Sequence, residues 1–281
     1  MSILENEYLV FDASTKTLVF KNKEPHIVSS MVPMSIVTDV EKIVIPEGVQ
    51  TIGCNAFSFF VSLHTVVLSD TVERIRSKAF FNCGNLKNIK IGNMLNVVEE
   101  RSFSGCRNLE NIYIKRLDTW CNINFWSHTA NPLFCGGDLY LNNTLIKDLV
   151  IPDNLHKISP YAFNGCRSIE NVTIPKNIKE IGKGAFAYCD NLKKVKINNG
   201  VERVDHQSFY RCDNLKYINF PESITDIVND AIPVKENNIV VKFAETEYLN
   251  CWARANNITN NTAKIDSFLK SISDSALNVD L

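Results

Sequence analysis

No stretch of the 281-residue sequence comes near the about eighteen consecutive apolar residues that a membrane-crossing helix needs. An excess of charge is missing too. Thirty basic against 31 acidic side chains leave a formal net charge of −1, so the totals point to neither nucleic acid nor an anionic membrane, and such a partner would need a local patch. The opening MSILENEYLVFD has an acid at position 5 and no basic segment, so it does not read as a secretory signal. The expected location is cytoplasmic, with secretion or cell-surface display as the alternative. Nine cysteines are present but none is spaced C-x-x-C, which removes the usual zinc frameworks. Their odd number, without an export signal, argues for mostly reduced thiols.

Catalytic signatures are equally scarce. His26, His64, His128, His156 and His206 are scattered, with no H-E-x-x-H among them. His206 follows Asp205, but adjacency does not supply the convergent nucleophile, base and orienting group that catalysis needs. The G-x-G of IGKGAF, residues 181–186, lacks the third glycine of a phosphate loop and falls where other segments read IGCNAF and ISPYAF. The expectation is a protein that is not an enzyme and uses neither cofactor nor metal. Sequons at Asn142, Asn171, Asn257 and Asn260 matter only in a chain exported by a eukaryote.

What the sequence does have, within an ordinary globular composition of 45% hydrophobic and 22% charged residues, is a period. The pattern apolar-x-x-apolar-x-apolar starts at Val40, Leu63, Leu86, Leu109, Ile146, Ile169, Leu192, Leu215 and, more weakly, Asn238. Every interval is 23 residues except one of 37. Three residues before the start stand Phe60, Cys83, Cys106, Asn143, Cys166, Cys189 and Cys212; six before it stand Phe57, Phe80, Phe103, Tyr140, Phe163, Phe186 and Phe209. In LKKVKI the third and fifth residues after the start share one face of a strand, and the second and fourth point the other way. One short strand cannot bury its apolar side alone. About nine units stacked at ~4.8 Å make a parallel sheet roughly 40 Å long with a shared core. A second apolar pair, such as Val72 and Ile75 or Ile178 and Ile181, gives each coil another inward side, and Pro46, Pro152, Pro175 and Pro221 end the first strand.

The segments IPEGVQTIGCNAF, IPDNLHKISPYAFNGC and IPKNIKEIGKGAFAYCDNL closely resemble the BspA-like leucine-rich repeats, whose unit runs roughly IPxxVxxIGxxAFxxCxxLxxVxI. The resemblance covers residues 40 to 243. It implies a right-handed leucine-rich-repeat solenoid, mainly β or α/β with few helices, and a role in protein binding or adhesion rather than catalysis. The family occurs largely in host-associated bacteria and some protists. The expected layout is an N-terminal hairpin cap over 1–39, repeats over 40–244 with an insertion at about 117–145, and a C-terminal helical cap and tail over 245–281.

Within that frame the column cysteines read as small apolar packing residues, since parallel Cβ vectors on adjacent coils oppose a disulfide. Cys54, Cys121, Cys135 and Cys251 lie off the column, and Cys121 still falls at a core phase. The 37-residue interval concentrates Trp120, Phe125, Trp126, His128 and Phe134. This cluster is either a binding platform or local packing, built from a short helix near Asp118–Ile123 and a hairpin turning at Asn142 and Asn143. A second candidate is the outward face of the first strands. Lys42, Lys90, Lys194, Lys196 and Lys242 oppose a single Asp148 there, and Tyr113 and Tyr217 are its expected anchors. That face predicts an acidic or polar partner, a protein loop or a glycan. The function expected is a protein-binding module, with an adhesin for host matrix protein or carbohydrate as the alternative. In the tail, Ile265, Phe268, Leu269 and Ile272 have helical spacing.

Overall fold

Each unit forms one coil because its apolar residues fall at two strand-like spacings separated by a turn. A computed structural model describes residues 3–21, 24–228, 230–232 and 239–258. In Lys194–Ile197 the side chains of Val195 and Ile197 are buried and that of Lys196 is exposed, as a period of two requires. Such strands stack in parallel with a 23-residue step: Ile43 lies opposite Val66, and Val66 opposite Ile89. The second apolar pair builds another parallel ladder through Ile52, Ile75 and Val98. The molecule is therefore the solenoid of about nine coils, with parallel sheets and few helices, that the period predicts.

The third side of each coil carries the phenylalanine column. Phe57, Phe80 and Phe103 stack with centroids 5.4 and 5.3 Å apart, and Phe163, Phe186 and Phe209 with centroids 5.2 and 5.4 Å apart. All six are fully buried, each worth ~1.5–3 kcal/mol of transfer free energy. The backbone between the columns is unusual, because two residues per coil sit in the left-handed region. One set is Asn55, Lys78, Arg101, Tyr161, Gly184 and Gln207; the other is Phe59, Asn82, Gly105, Gly165, Tyr188 and Arg211. This zigzag turns N–H and C=O groups toward neighbouring coils: Phe59 N–H donates to Phe81 O, Asn82 N–H to Ser104 O, and Tyr188 N–H to Tyr210 O, at 2.8 to 2.9 Å. The cost of left-handed non-glycine residues is offset by satisfying buried backbone groups.

At the N-terminus Ile3–Glu5, Leu9–Asp12 and Thr17–Phe20 form an antiparallel meander, and its last strand pairs in parallel with Lys42–Val44. This covers the edge that the first coil would expose. At the other end the helix Glu247–Ala255 is capped by Thr246, whose hydroxyl accepts from Leu249 N–H, and it buries Leu249, Trp252 and Ala253. Asn238, Asn260 and the helical spacing through Ile265, Phe268, Leu269 and Ile272 lie outside the described residues.

The 37-residue interval differs from its expected form. Asn111 pairs with Asp138 and Tyr113 with Tyr140, so the segment is itself a coil, 27 residues long instead of 23. Its extra turn is the helix Leu117–Asn122 between the two strands. Tyr140 is thus a strand residue on the first side, not a member of the phenylalanine column, and Asn143 sits in a hairpin turn rather than among the cysteines. Asn142 and Asn143 both have positive φ, as a two-residue turn between Asp138–Leu141 and Thr144–Leu145 demands. The hairpin ends the first-side ladder, and Asp148–Val150 begins a new one, so the parallel sheets come in two blocks.

Side chains join the blocks where backbone pairing stops. Trp120, 1% exposed, donates from Nε1 to Ala162 O at 2.8 Å. Buried Asn131 donates from Nδ2 to Tyr161 O and Ala162 O at 2.6 and 3.0 Å and accepts from Leu133 N–H. Ser159 N–H reaches Cys121 O in the inserted helix. The expected effect of Trp120→Ala is a loss of ~3–5 kcal/mol, together with a split of the single urea transition into two as the blocks melt separately. One unbroken transition at unchanged midpoint, followed by circular dichroism, would contradict the assignment.

Candidate functional site

The cysteine column is structural. Cys83, Cys106, Cys189 and Cys212 are fully buried, and each Sγ–H donates to the carbonyl of a column phenylalanine one coil earlier: Phe57, Phe80, Phe163 and Phe186, at 3.0 to 3.2 Å. Cys135, which sequence phase left off the column, joins this series by donating to Phe103 O at 3.2 Å. Burial raises the Cys189 thiol well above its usual range, lifts Cys166 to about 11 and Cys135 to about 12. None of these is a nucleophile at neutral pH. None of the nine cysteines is in a disulfide, and among the described residues no group of three or more His, Cys, Asp or Glu side chains is placed to hold a metal ion.

The aromatic cluster of the insertion divides. Trp120 and Phe125 are 1% and 2% exposed and pack with tilted rings 5.5 Å apart, so they are core residues and not contact residues. Phe125 takes the position opposite Val98 in the second-side ladder, which forces its ring inward. Trp126 follows it on the outward phase and is 54% exposed. His128 and Phe134 meet edge to face at 4.6 Å on the third side, and partial burial holds the His128 imidazole below its ordinary pKa.

On the first side Lys42, Lys90, Lys196 and Lys242 are exposed and Lys194 is half-buried. Lys90 lies 5.8 Å above the ring of Tyr113, and Lys194 5.8 Å above that of Tyr217. Tyr217, however, is 6% exposed, with Lys194 of the preceding coil 5.8 Å from its ring; it is no exposed anchor. Tyr140 supplies a ring the sequence phase had misplaced, packed 4.9 Å from Tyr113. The hairpin and the break between blocks separate Lys90, Tyr113 and Tyr140 from Lys194 and Lys196.

The sequence reading missed the third side. Phe59 and Phe81 meet edge to face at 5.6 Å, and Phe134, Tyr188 and Tyr210 continue the row with centroids 5.9 and 5.6 Å apart. Phe59, Tyr188 and Phe134 are 55%, 41% and 37% exposed. The signal was available, since Phe59 and Tyr188 recur four residues before a start, and Phe81 and Tyr210 five before. Between the two groups of rings, at Ser104 and Gly105, lies an open groove of about 490 Å³. No helix among the described residues is long and apolar enough to cross a membrane.

The model of the BspA type leucine-rich repeat region matches residues 36–129 and 137–243, in six copies. Among solved structures the chain is similar to a leucine rich cell surface protein from Faecalibacterium prausnitzii A2-165, at 16% identity and TM-score 0.40, covering 93% of this chain and 98% of that one. It is similar also to a T. pallidum leucine rich repeat protein, at 21% identity and TM-score 0.41 over 76% and 91% of the two chains. A leucine-rich repeat protein from Bacteroides ovatus ATCC 8483 shares 19% identity, with TM-score 0.45 over 80% and 60%. No curated protein matches the chain.

The thiol geometry is directly measurable. In the native protein Cys54 and Cys251, the two exposed cysteines, should react with a thiol reagent within minutes. The buried column should react only after denaturant is added. Rapid modification of Cys189, located by peptide mass, would refute its packing role.

Proposed function

We propose, because this chain belongs to the BspA-type leucine-rich-repeat family, that it is a non-catalytic protein-binding module whose first side carries the contact. The observation that supports this best is the arrangement of lysine over tyrosine on that side. Lys90 rests over Tyr113, which packs on Tyr140, so an ammonium group and two rings are held together on a rigid sheet. Lys194 and Lys196 form a second basic patch on the other block, with Lys242 two strands beyond it. Rigid aromatic and cationic groups on one face suit an acidic or polar protein loop, because few rotamers are lost on binding. Trp126, exposed beside the second-side ladder, is the contact residue proposed within the insertion. A secreted or cell-surface adhesin is the second reading, supported by the ring-lined groove on the third side.

The experiment is capture from lysate and from extracellular-matrix preparations by the intact protein, beside Lys194→Glu/Lys196→Glu and Trp126→Ala variants of unchanged melting temperature. The expected partner is retained by the native protein, lost by the double variant, and released as added salt shortens the Debye length from ~10 to ~3 Å. Retention that ignores both salt and the lysine changes removes the first side from the contact.

A further inference from the structure

The groove on the third side interrupts an otherwise continuous row of rings. At the position held by Phe59, Asn82, Gly165, Tyr188 and Arg211 in other coils this coil has Gly105, with φ of +87°, and a Cβ there would come within 2.1 Å of Asn82 Oδ1. The missing side chain opens the space between Phe81 on one wall and Phe134 on the other, with Ser104, Asn82 and Thr129 adding hydroxyl and amide groups. Each wall is braced from behind: Phe81 by Phe59 and Phe134 by His128 and Tyr188.

The backbone of the groove is also unlike that of its neighbours. Phe59, Asn82, Gly165 and Tyr188 each donate their N–H to the next coil. Gly105 is in the same position, and among the described residues its N–H has no such bond, because the coil that follows is the long one. The adjacent carbonyls are already occupied, Ser104 O by Asn82 N–H and Phe103 O by Cys135 Sγ. A single free donor beside occupied acceptors does not offer the alternating pattern that an added peptide strand needs.

We infer that this groove binds a neutral carbohydrate chain. Rings on two walls offer apolar surface to the C–H faces of a sugar, Phe81 with Lys78 Nζ 5.9 Å from its ring centre, while the amide of Asn82, the hydroxyls of Ser104 and Thr129 and the Gly105 N–H meet its hydroxyl groups. Arg107 is the one charged side chain lining the groove, so nothing in it selects a polyanion, and it has no enclosed apolar pocket to take a protein's anchoring side chain. The row of rings on either side extends the surface along the solenoid axis, which suits a chain of several sugar units better than a monosaccharide.

Titration calorimetry of the full chain against neutral oligosaccharides of glucose, mannose, galactose and N-acetylglucosamine tests this. At least one series is expected to bind. Phe134→Ala should weaken it about tenfold or more, Thr129→Trp should abolish it by filling the groove, and Lys194→Glu/Lys196→Glu should leave it unchanged, all at unaltered melting temperature. Absence of binding by every series overturns the inference, as does binding that survives both groove variants. Binding confined to sulfated or sialylated glycans and lost with the lysines also overturns it, as does a protein partner displaced by the groove variants but by no sugar.

Discussion

Along its strands and at third-side positions such as Phe59, Asn82 and Tyr188, the backbone of this chain finds its partners in the coil before or after, at a fixed distance along the sequence. The step of 23 residues is therefore a hydrogen-bonding constraint before it is a pattern of leucines. It places Ile43, Val66 and Ile89 in one ladder, Ile52, Ile75 and Val98 in a second, and the third-side donors Phe59 and Asn82 in a third. Stacked phenylalanines and cysteine thiols fill the interior that these ladders enclose. Lose the step, and all three ladders fail together, since a buried N–H or C=O without a partner costs about 1–3 kcal/mol. The insertion meets this constraint by adding four residues as one helical turn and by bringing Trp120 and Asn131 to the carbonyls of Tyr161 and Ala162.

The repeat and its core were legible because their chemistry is uniform. Phe57, Phe80 and Cys83 recur in phase, and only a stacked fold gives such columns a reason. The insertion was harder to read. Its Ala130 and Leu133 are buried where phase would put a phenylalanine and a cysteine, and its column cysteine, Cys135, comes two residues late, so the phase seemed to resume only at Ile146. Period alone likewise placed Tyr113 and Tyr217 on the same outward face, and it carried no information on which of the two would be buried. The left-handed positions on the third side were invisible for a different reason: Lys78, Arg101, Tyr161 and Gln207 are residues that do not announce positive φ. Local sequence preference is overruled there by the inter-coil bonds.

Two kinds of surface emerge from one scaffold. The first side is a pleated face where lysines lie over rings. The third side is a zigzag of rings, two of them with Lys78 and Arg211 lying over the ring, interrupted where a glycine removes a side chain. Both arise from positions that the core does not constrain. That is why they differ from coil to coil while Phe163, Phe186 and Phe209 do not.

The in-phase ladders also make the number of coils a free variable. Removal of residues 169–191 would bring Leu192 to the place of Ile169, Cys212 to that of Cys189 and Phe209 to that of Phe186, each meeting a surface equivalent to the one it left. A repeated segment could be gained in the same way without altering any contact elsewhere. The 27-residue coil cannot take part in such exchange, because Trp120 and Asn131 fit one particular neighbour. Descent by unequal recombination would therefore lengthen or shorten the regular blocks while leaving that joint, and the groove beside it, as a single fixed landmark.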